Sequence, residues 1–350
     1  MKAFIRVGAI AAGLLLCTEC LRSEEPAASD SRSDQQRELE SPFSWTASEP
    51  LLTPAPTDGE NWHSIKDPTV VRHDGRWHLF CTVRGKQRSH AIVYLSFSDW
   101  QEADQAERHV LSNHAGYFCA PQVFYFTPHK MWYLICQAAG EDWVPNYQPA
   151  FATTTDIADP YSWSPLTPLY GHKPDNLRGW IDFWVICDEA KAHLFYTSND
   201  GRMWRSETAV GNFPKGWSKP ELVLEADIFE ASHTYSLKNS ERFLTIVEAQ
   251  NGHGFRYYKA YVADALDGDW QPLAAGREDA FASLKNVEQT AGHWTDAISH
   301  AELLRSGHDE RLEIDPTRLR LLFQGVAEKD QRGKPYGDIP WKLGLLEPAP

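Results

Sequence analysis

The chain has 350 residues, 48 Asp and Glu against 34 Lys and Arg, and a formal net charge of −14. That balance excludes nucleic acid and other polyanions as natural partners, because binding phosphates needs clustered Lys and Arg that release counterions. The 14 Trp residues fit a sugar ligand better, since an indole offers a flat apolar face with one donor, although most of them serve the core.

Lys2 and Arg6 precede an apolar run from Val7 to Leu16. The run is too short to span a bilayer as a mature helix, so residues 1–20 read as an export signal. Cys17 and Cys20 leave a lipid anchor open beside free secretion, although neither Leu16 nor Glu19 is the small residue a lipoprotein peptidase prefers. Residues 21–42 are polar with almost no large apolar side chain and read as a disordered linker. Residues 43–350 carry aromatic and aliphatic residues without a compositional break, which makes them one domain.

That domain repeats itself. Five segments share one layout of polar residue, apolar strand, polar turn and aromatic or β-branched strand, starting at Asp67, Ala120, Asp182, Glu230 and Ser299. A third strand should open at an aromatic in each unit: Tyr94, Phe151, Trp204, Tyr258 and Trp341. A fourth follows in three units, marked by Trp163, Trp217 and Trp270. The last unit stops at its third strand, and Trp45 in WTASEPLLT supplies the missing one from the other end. The expected fold is all-β, a five-bladed β-propeller with four-stranded antiparallel blades, its ring closed by the N-terminal strand. A β-sandwich also has short strands with regular turns, but it has no reason to repeat a four-strand grammar.

In a propeller the opening positions of the innermost strands converge on one channel. Here they are Asp67, Ala120-Pro121, Asp182, Glu230 and Ser299-His300. Three carboxylates at one phase of the repeat raise one another's pKa and cost stability unless they serve a purpose. An Asp before a strand also caps turns, so any one of them alone says little. Inverting glycoside hydrolysis needs a carboxylic acid and a carboxylate base, and a third carboxylate can keep the acid protonated. Of the cysteines beyond the signal, Cys81, Cys136 and Cys187 lie in apolar strand-like runs and Cys119 just before one. Buried thiols and disulfides both remain open, and no zinc spacing appears.

The segments IKDPTVV, APQVFYF, WIDFWVICD, NFPKGWS, IFEAS, FLTIVEA, ISHAELLRSG and IPWKLGLL resemble, in that order, glycoside hydrolase family 62. The resemblance implies a fold similar to the five-bladed family 43 enzymes and an inverting α-L-arabinofuranosidase acting on arabinoxylan, with no protein partner and a monomeric state. Carried over by motif, Asp67 looks like the general base, Glu230 like the general acid, and Asp182 like the residue that tunes the acid. Lys66, Arg256 and Tyr336 resemble pocket residues that hold the sugar, and His300 resembles the ligand of a central calcium ion (Ca2+). The chain departs from the pattern at Ala301, where relatives often have Gly, and near His193, where relatives can carry a second Cys. The segment Gly140 to Ala150 is longer, and its Trp143 and Tyr147 suit either a xylan subsite or a hydrophobic plug. The residues leave two rivals open: a family 43-like β-xylosidase or arabinanase, and a sugar-binding propeller without turnover.

Overall fold

Each of the five repeat units folds as one antiparallel sheet, and the computed structural model describes residues 39–175, 177, 179–250, 255–290 and 292–350. The export signal, Cys17, Cys20 and most of the linker lie outside the described residues. Blade 1 runs Trp62–His73, Arg76–Gly85, Ala91–Phe97 and Arg108–Val110, from hub to rim. Blade 2 is Phe118–Phe126, Met131–Ala139, Tyr147–Thr154 and Thr167–Pro168, and blade 3 is Ile181–Cys187, Lys191–Thr197, Arg202–Ala209 and Glu221–Glu225. Blade 4 is Glu230–Leu237, Phe243–Gln250, Arg256–Ala263 and Gln271–Ala274, with Glu313–Ile314 added beside its inner strand. Blade 5 is Ser299–Leu303, Leu321–Gly325 and Lys342–Pro348, completed by Trp45–Ala47, with Val287–Glu288 added beyond it. Trp45 pairs with Pro348 and Ala47 with Leu346, so the N-terminal strand closes the ring as expected.

The second strands are nearly continuous runs of apolar and β-branched residues because neighbouring blades cover both their faces. Tyr133 of blade 2, for example, packs its ring 5.0 Å from that of Phe213 of blade 3. Deep in the hub, Arg305 pairs with Glu302 at 2.8 Å and donates to the carbonyls of Val70 and Val123, which ties blade 5 to blades 1 and 2.

Two details of the repeat differ from the sequence reading. The marker aromatics sit inside the third strands or, for Trp341, just before one, because pairing with the second strand extends backwards past them. Blade 1 also has an outer strand, Arg108–Val110, that carries no Trp to announce it.

The inner strands share one irregularity. Register shifts fall between Lys66 and Thr69, Cys119 and Gln122, Ile181 and Trp184, Glu230 and His233, and Ser299 and Glu302. One residue in each bulge has positive φ: Asp67 (48°), Ala120 (48°), Asp182 (55°), Ala231 (52°) and His300 (29°). Left-handed backbone at a residue with a Cβ costs about 1–3 kcal/mol, a strain that marks functional sites. Glu230 therefore does not share the phase of Asp67 and Asp182. It stands one residue earlier, with Lys66, Cys119, Ile181 and Ser299, and Ala231 takes the bulge position. A bulge sets two consecutive residues against one on the partner strand and re-aims its side chains. Both positions thus serve the hub, and the sequence carries no mark of which one is used.

Candidate active site

The bulge ring gathers the predicted residues. Lys66 Nζ lies 2.9 Å from Asp67 Oδ2 and 3.2 Å from Oδ1. Burial alone would raise the Asp67 carboxyl, but Lys66 and then His300 outweigh it and hold it well below the usual carboxylate range. The backbone N–H of Asp67 donates to Gln324 Oε1 at 2.8 Å, which pins the bulge. His300 Nδ1 stands 3.4 Å from Asp67 Oδ1, and burial lowers the His300 pKa against the pull of Asp67 and Glu230.

Asp182 has the opposite environment. Burial first, then the charges of Glu230 and Asp67, push its pKa well above the ordinary carboxylate value, while the Ala231 N–H donating to Oδ2 at 3.0 Å offsets part of this. Two nearby carboxylates of one ring are thus pushed in opposite directions, the kind of arrangement that separates a base from a proton reservoir.

Glu230 is held by Arg256, whose Nη1 donates to Glu230 Oε1 at 2.6 Å, to Glu248 Oε1 at 3.0 Å and to Ser299 Oγ at 3.1 Å. Arg256 is thus a buried ion-pair residue. Its guanidinium also lies over the rings of Phe229, Tyr336 and Trp341, 4.6, 5.3 and 5.6 Å from their centroids. Tyr336, 46% exposed, roofs the site on the strap before the last strand, its ring 5.6 Å from Lys66 Nζ. The strap is fixed at Gly337, whose carbonyl accepts from Arg84 Nε at 2.5 Å and faces His63 Nε2 at 2.8 Å.

Lys66, Asp67, Asp182, Glu230, Arg256, His300 and Tyr336 therefore all meet at one end of the hub. Sequence reasoning placed Ser299 on the ring but missed Glu248 and Gln324, which lie beneath it. It also missed the wall of blade 2, where Cys119 Sγ and Gln137 Nε2 reach Tyr117 Oη at 3.1 and 3.0 Å. Cys81, Cys119, Cys136 and Cys187 are all buried and unbridged. In the longer segment, Trp143 folds back to stack on His114 with centroids 5.8 Å apart, and Tyr147 packs against Tyr117 at 5.6 Å.

Comparison with known proteins identifies the family. The profile of "Glycosyl hydrolase family 62" matches residues 44–347. The chain belongs to this family. A curated relative, alpha-L-arabinofuranosidase C of Cellvibrio japonicus, is 40% identical over 321 residues, which are 89% of this chain and 48% of that protein. The chain spans about half the length of that curated relative. Among solved structures, the family 62 α-L-arabinofuranosidase catalytic domain of Coprinopsis cinerea superposes with a TM-score of 0.83 at 37% identity, over 89% of this chain and 98% of that one. A family 62 hydrolase in complex with xylotriose superposes with a TM-score of 0.79 at 34% identity, over 87% of this chain and 97% of that one.

Proposed function

We propose that this family 62 chain releases α-L-arabinofuranosyl side chains from arabinoxylan by single-step hydrolysis with inversion. The observation that carries the reading is the convergence of Asp67, Asp182 and Glu230 around His300 at one end of the hub, where their surroundings push the Asp67 carboxyl down and the Asp182 carboxyl up. Asp67 takes a proton from a water as its oxygen attacks the anomeric carbon. The bond from that carbon to the xylose oxygen breaks, its electron pair stays on the oxygen, and Glu230 supplies the proton that neutralises it. Asp182 keeps a proton in the Glu230 neighbourhood, and solvent carries the proton gained by Asp67 back to the acid. Lys66, Arg256 and Tyr336 form the walls that hold the sugar. The name of the curated relative and the xylotriose held by a solved relative support the choice of substrate.

The same proposal includes a calcium ion held by His300. Oxygens of Asp182 and Glu230 and a ring nitrogen of His300 lie within 4.8 Å of one another, a span that ligands about 2.4 Å from one ion can reach. When bound, the ion supplies positive charge against the mutual repulsion of the carboxylates. It also includes export, free or lipid-anchored, because the polymer lies outside the cell. No helix among the described residues is long and apolar enough to cross a membrane.

NMR of the products from arabinoxylan and from linear arabinan tests the reading. Free arabinose should come from arabinoxylan, with the β anomer appearing first. Release from linear arabinan only, or an α anomer formed first, would refute it.

A further inference from the structure

The blades are latched to one another by polar side chains of their second strands. Thr82 Oγ1 accepts the N–H of Ala120 at 2.8 Å, Gln324 Oε1 that of Asp67 at 2.8 Å, and Glu248 Oε2 that of His300 at 2.6 Å. In each case the donor is the bulge residue of the next blade. Thr and Gln make this latch without charge, so latching does not explain a carboxylate at Glu248. Glu248 is fully buried, and burying a charge costs several kcal/mol unless it is paired.

The explanation lies at its other oxygen. Glu248 Oε1 accepts from Arg256 Nη1 at 3.0 Å and from Ser299 Oγ at 3.1 Å, and the same Nη1 grips Glu230 Oε1 at 2.6 Å. Glu230 and Glu248 are also direct cross-strand partners. Arg256 is therefore seated between two carboxylates, one exposed to substrate and one sealed beneath. We propose that Glu248 is a positioning residue for the hydrolysis: it anchors Arg256, and Arg256 fixes one oxygen of Glu230 so that the other points at the leaving oxygen. The proposal rests on the reading of Glu230 as the acid.

A leaving-group comparison tests it on the full chain. Arabinoxylan departs as a poor leaving group that needs the proton, whereas the nitrophenolate of 4-nitrophenyl α-L-arabinofuranoside leaves without one. In Glu248→Gln, kcat on arabinoxylan should fall by about 10- to 100-fold, a part of what an acid contributes. KM should change less than kcat, since Arg256 also lines the sugar, and turnover of the nitrophenyl substrate should fall by no more than about threefold. Glu248→Asp keeps the charge one methylene further away and should recover part of the lost kcat. Should Glu248→Gln fail to fold, Glu248→Asp decides by the same substrate split at a smaller size. Glu230→Gln runs alongside. If it shows no split between substrates, the acid reading of Glu230 falls. If it shows the split while the Glu248 variants lose both substrates equally or neither, the proposal for Glu248 falls and the acid reading stands.

Discussion

Lys66 Nζ sits 2.9 Å from Oδ2 of Asp67, the next residue in the chain, with both side chains buried. Consecutive residues of a regular strand point to opposite faces. The bulge at Asp67, with its φ of 48°, makes this contact possible. A bent backbone is thus what gives the chain an ionised carboxylate in a buried place.

Lys66→Met should therefore damage Asp67 more than the pocket. In the native chain Asp67 stays ionised well below its ordinary value of 3.8, so the acid limb of kcat/KM is not set by Asp67 at ordinary acid pH. Without Lys66 burial dominates and the limb moves to higher pH. The stability sign follows from linkage. The lowered pKa of Asp67 contributes stability that is present above about pH 4 and lost as pH falls through the folded value. Breaking a buried pair costs about 3–5 kcal/mol. That native contribution is intact from pH 8 down to about pH 4, but in the variant burial raises Asp67 above its ordinary value, so the penalty of its unpaired charge is relieved as the carboxyl protonates on the way down, and the deficit should shrink. Thermal unfolding at pH 8 and pH 4 checks it; a deficit of equal size at both would contradict this account.

Asp182→Asn should separate activity from stability. Asn tolerates the left-handed backbone that Asp182 adopts, and it keeps an acceptor for the Ala231 N–H. The carboxyl it replaces is raised by burial, then by Glu230 and Asp67. A raised carboxyl contributes stability below its unfolded pKa and loses it as pH rises through the folded value. In buffer stripped of divalent cations the variant should therefore match or exceed the native melting temperature, with the advantage growing towards alkaline pH. Its kcat on arabinoxylan should fall by about 100-fold or more. A variant that melts lower at every pH would show that the charge cluster is not the cost argued here.

The ring of five blades was legible because strand and turn chemistry repeats, and the closing strand because Trp45 supplied a mark the last unit lacked. Arg108–Val110 was not legible: three residues without an aromatic marker, set after a 3-10 turn from Trp100 to Gln105. Asp67 and Asp182 were visible as charges beside apolar strands. Glu230 was found at the wrong phase, because a bulge shifts register without a sequence signature. Glu248 was missed because FLTIVEA reads as a strand that turns its one carboxylate to solvent. In a strand covered on both faces the carboxylate stays inside, and Arg256, eight residues on, is its partner. That pairing of a charge in a covered strand with a charge in the next was the available signal.

Gly337→Ala should loosen the roof. A Cβ at Gly337 would land on the Arg84 guanidinium that holds the Gly337 carbonyl. Either Arg84 lets go or the strap lifts, and Tyr336 leaves its place above Lys66 and Arg256. Contacts of the roof act on bound sugar and transition state alike, so KM should rise by about tenfold with kcat changed less. Steady-state kinetics on arabinoxylan decides, and a fall in kcat alone would place Tyr336 in the chemistry instead.

Trp45→Ala should open the ring without emptying the site. Trp45 is 1% exposed, donates its indole N–H to the Phe281 carbonyl at 2.6 Å, and meets the Phe281 ring edge-on at 5.3 Å. Truncating such a Trp costs about 3–5 kcal/mol, and a melting temperature lower by on the order of 10 °C is expected. Asp67, Asp182 and Glu230 come from blades 1, 3 and 4, while Trp45–Ala47 completes blade 5. Activity at low temperature should therefore persist. Scanning calorimetry with assays at 20 °C would separate the two effects. An unchanged melting temperature would mean the ring holds without its closing strand; activity lost in step with folding at low temperature would mean the hub depends on closure, because His300 and Trp341 share blade 5 with Trp45.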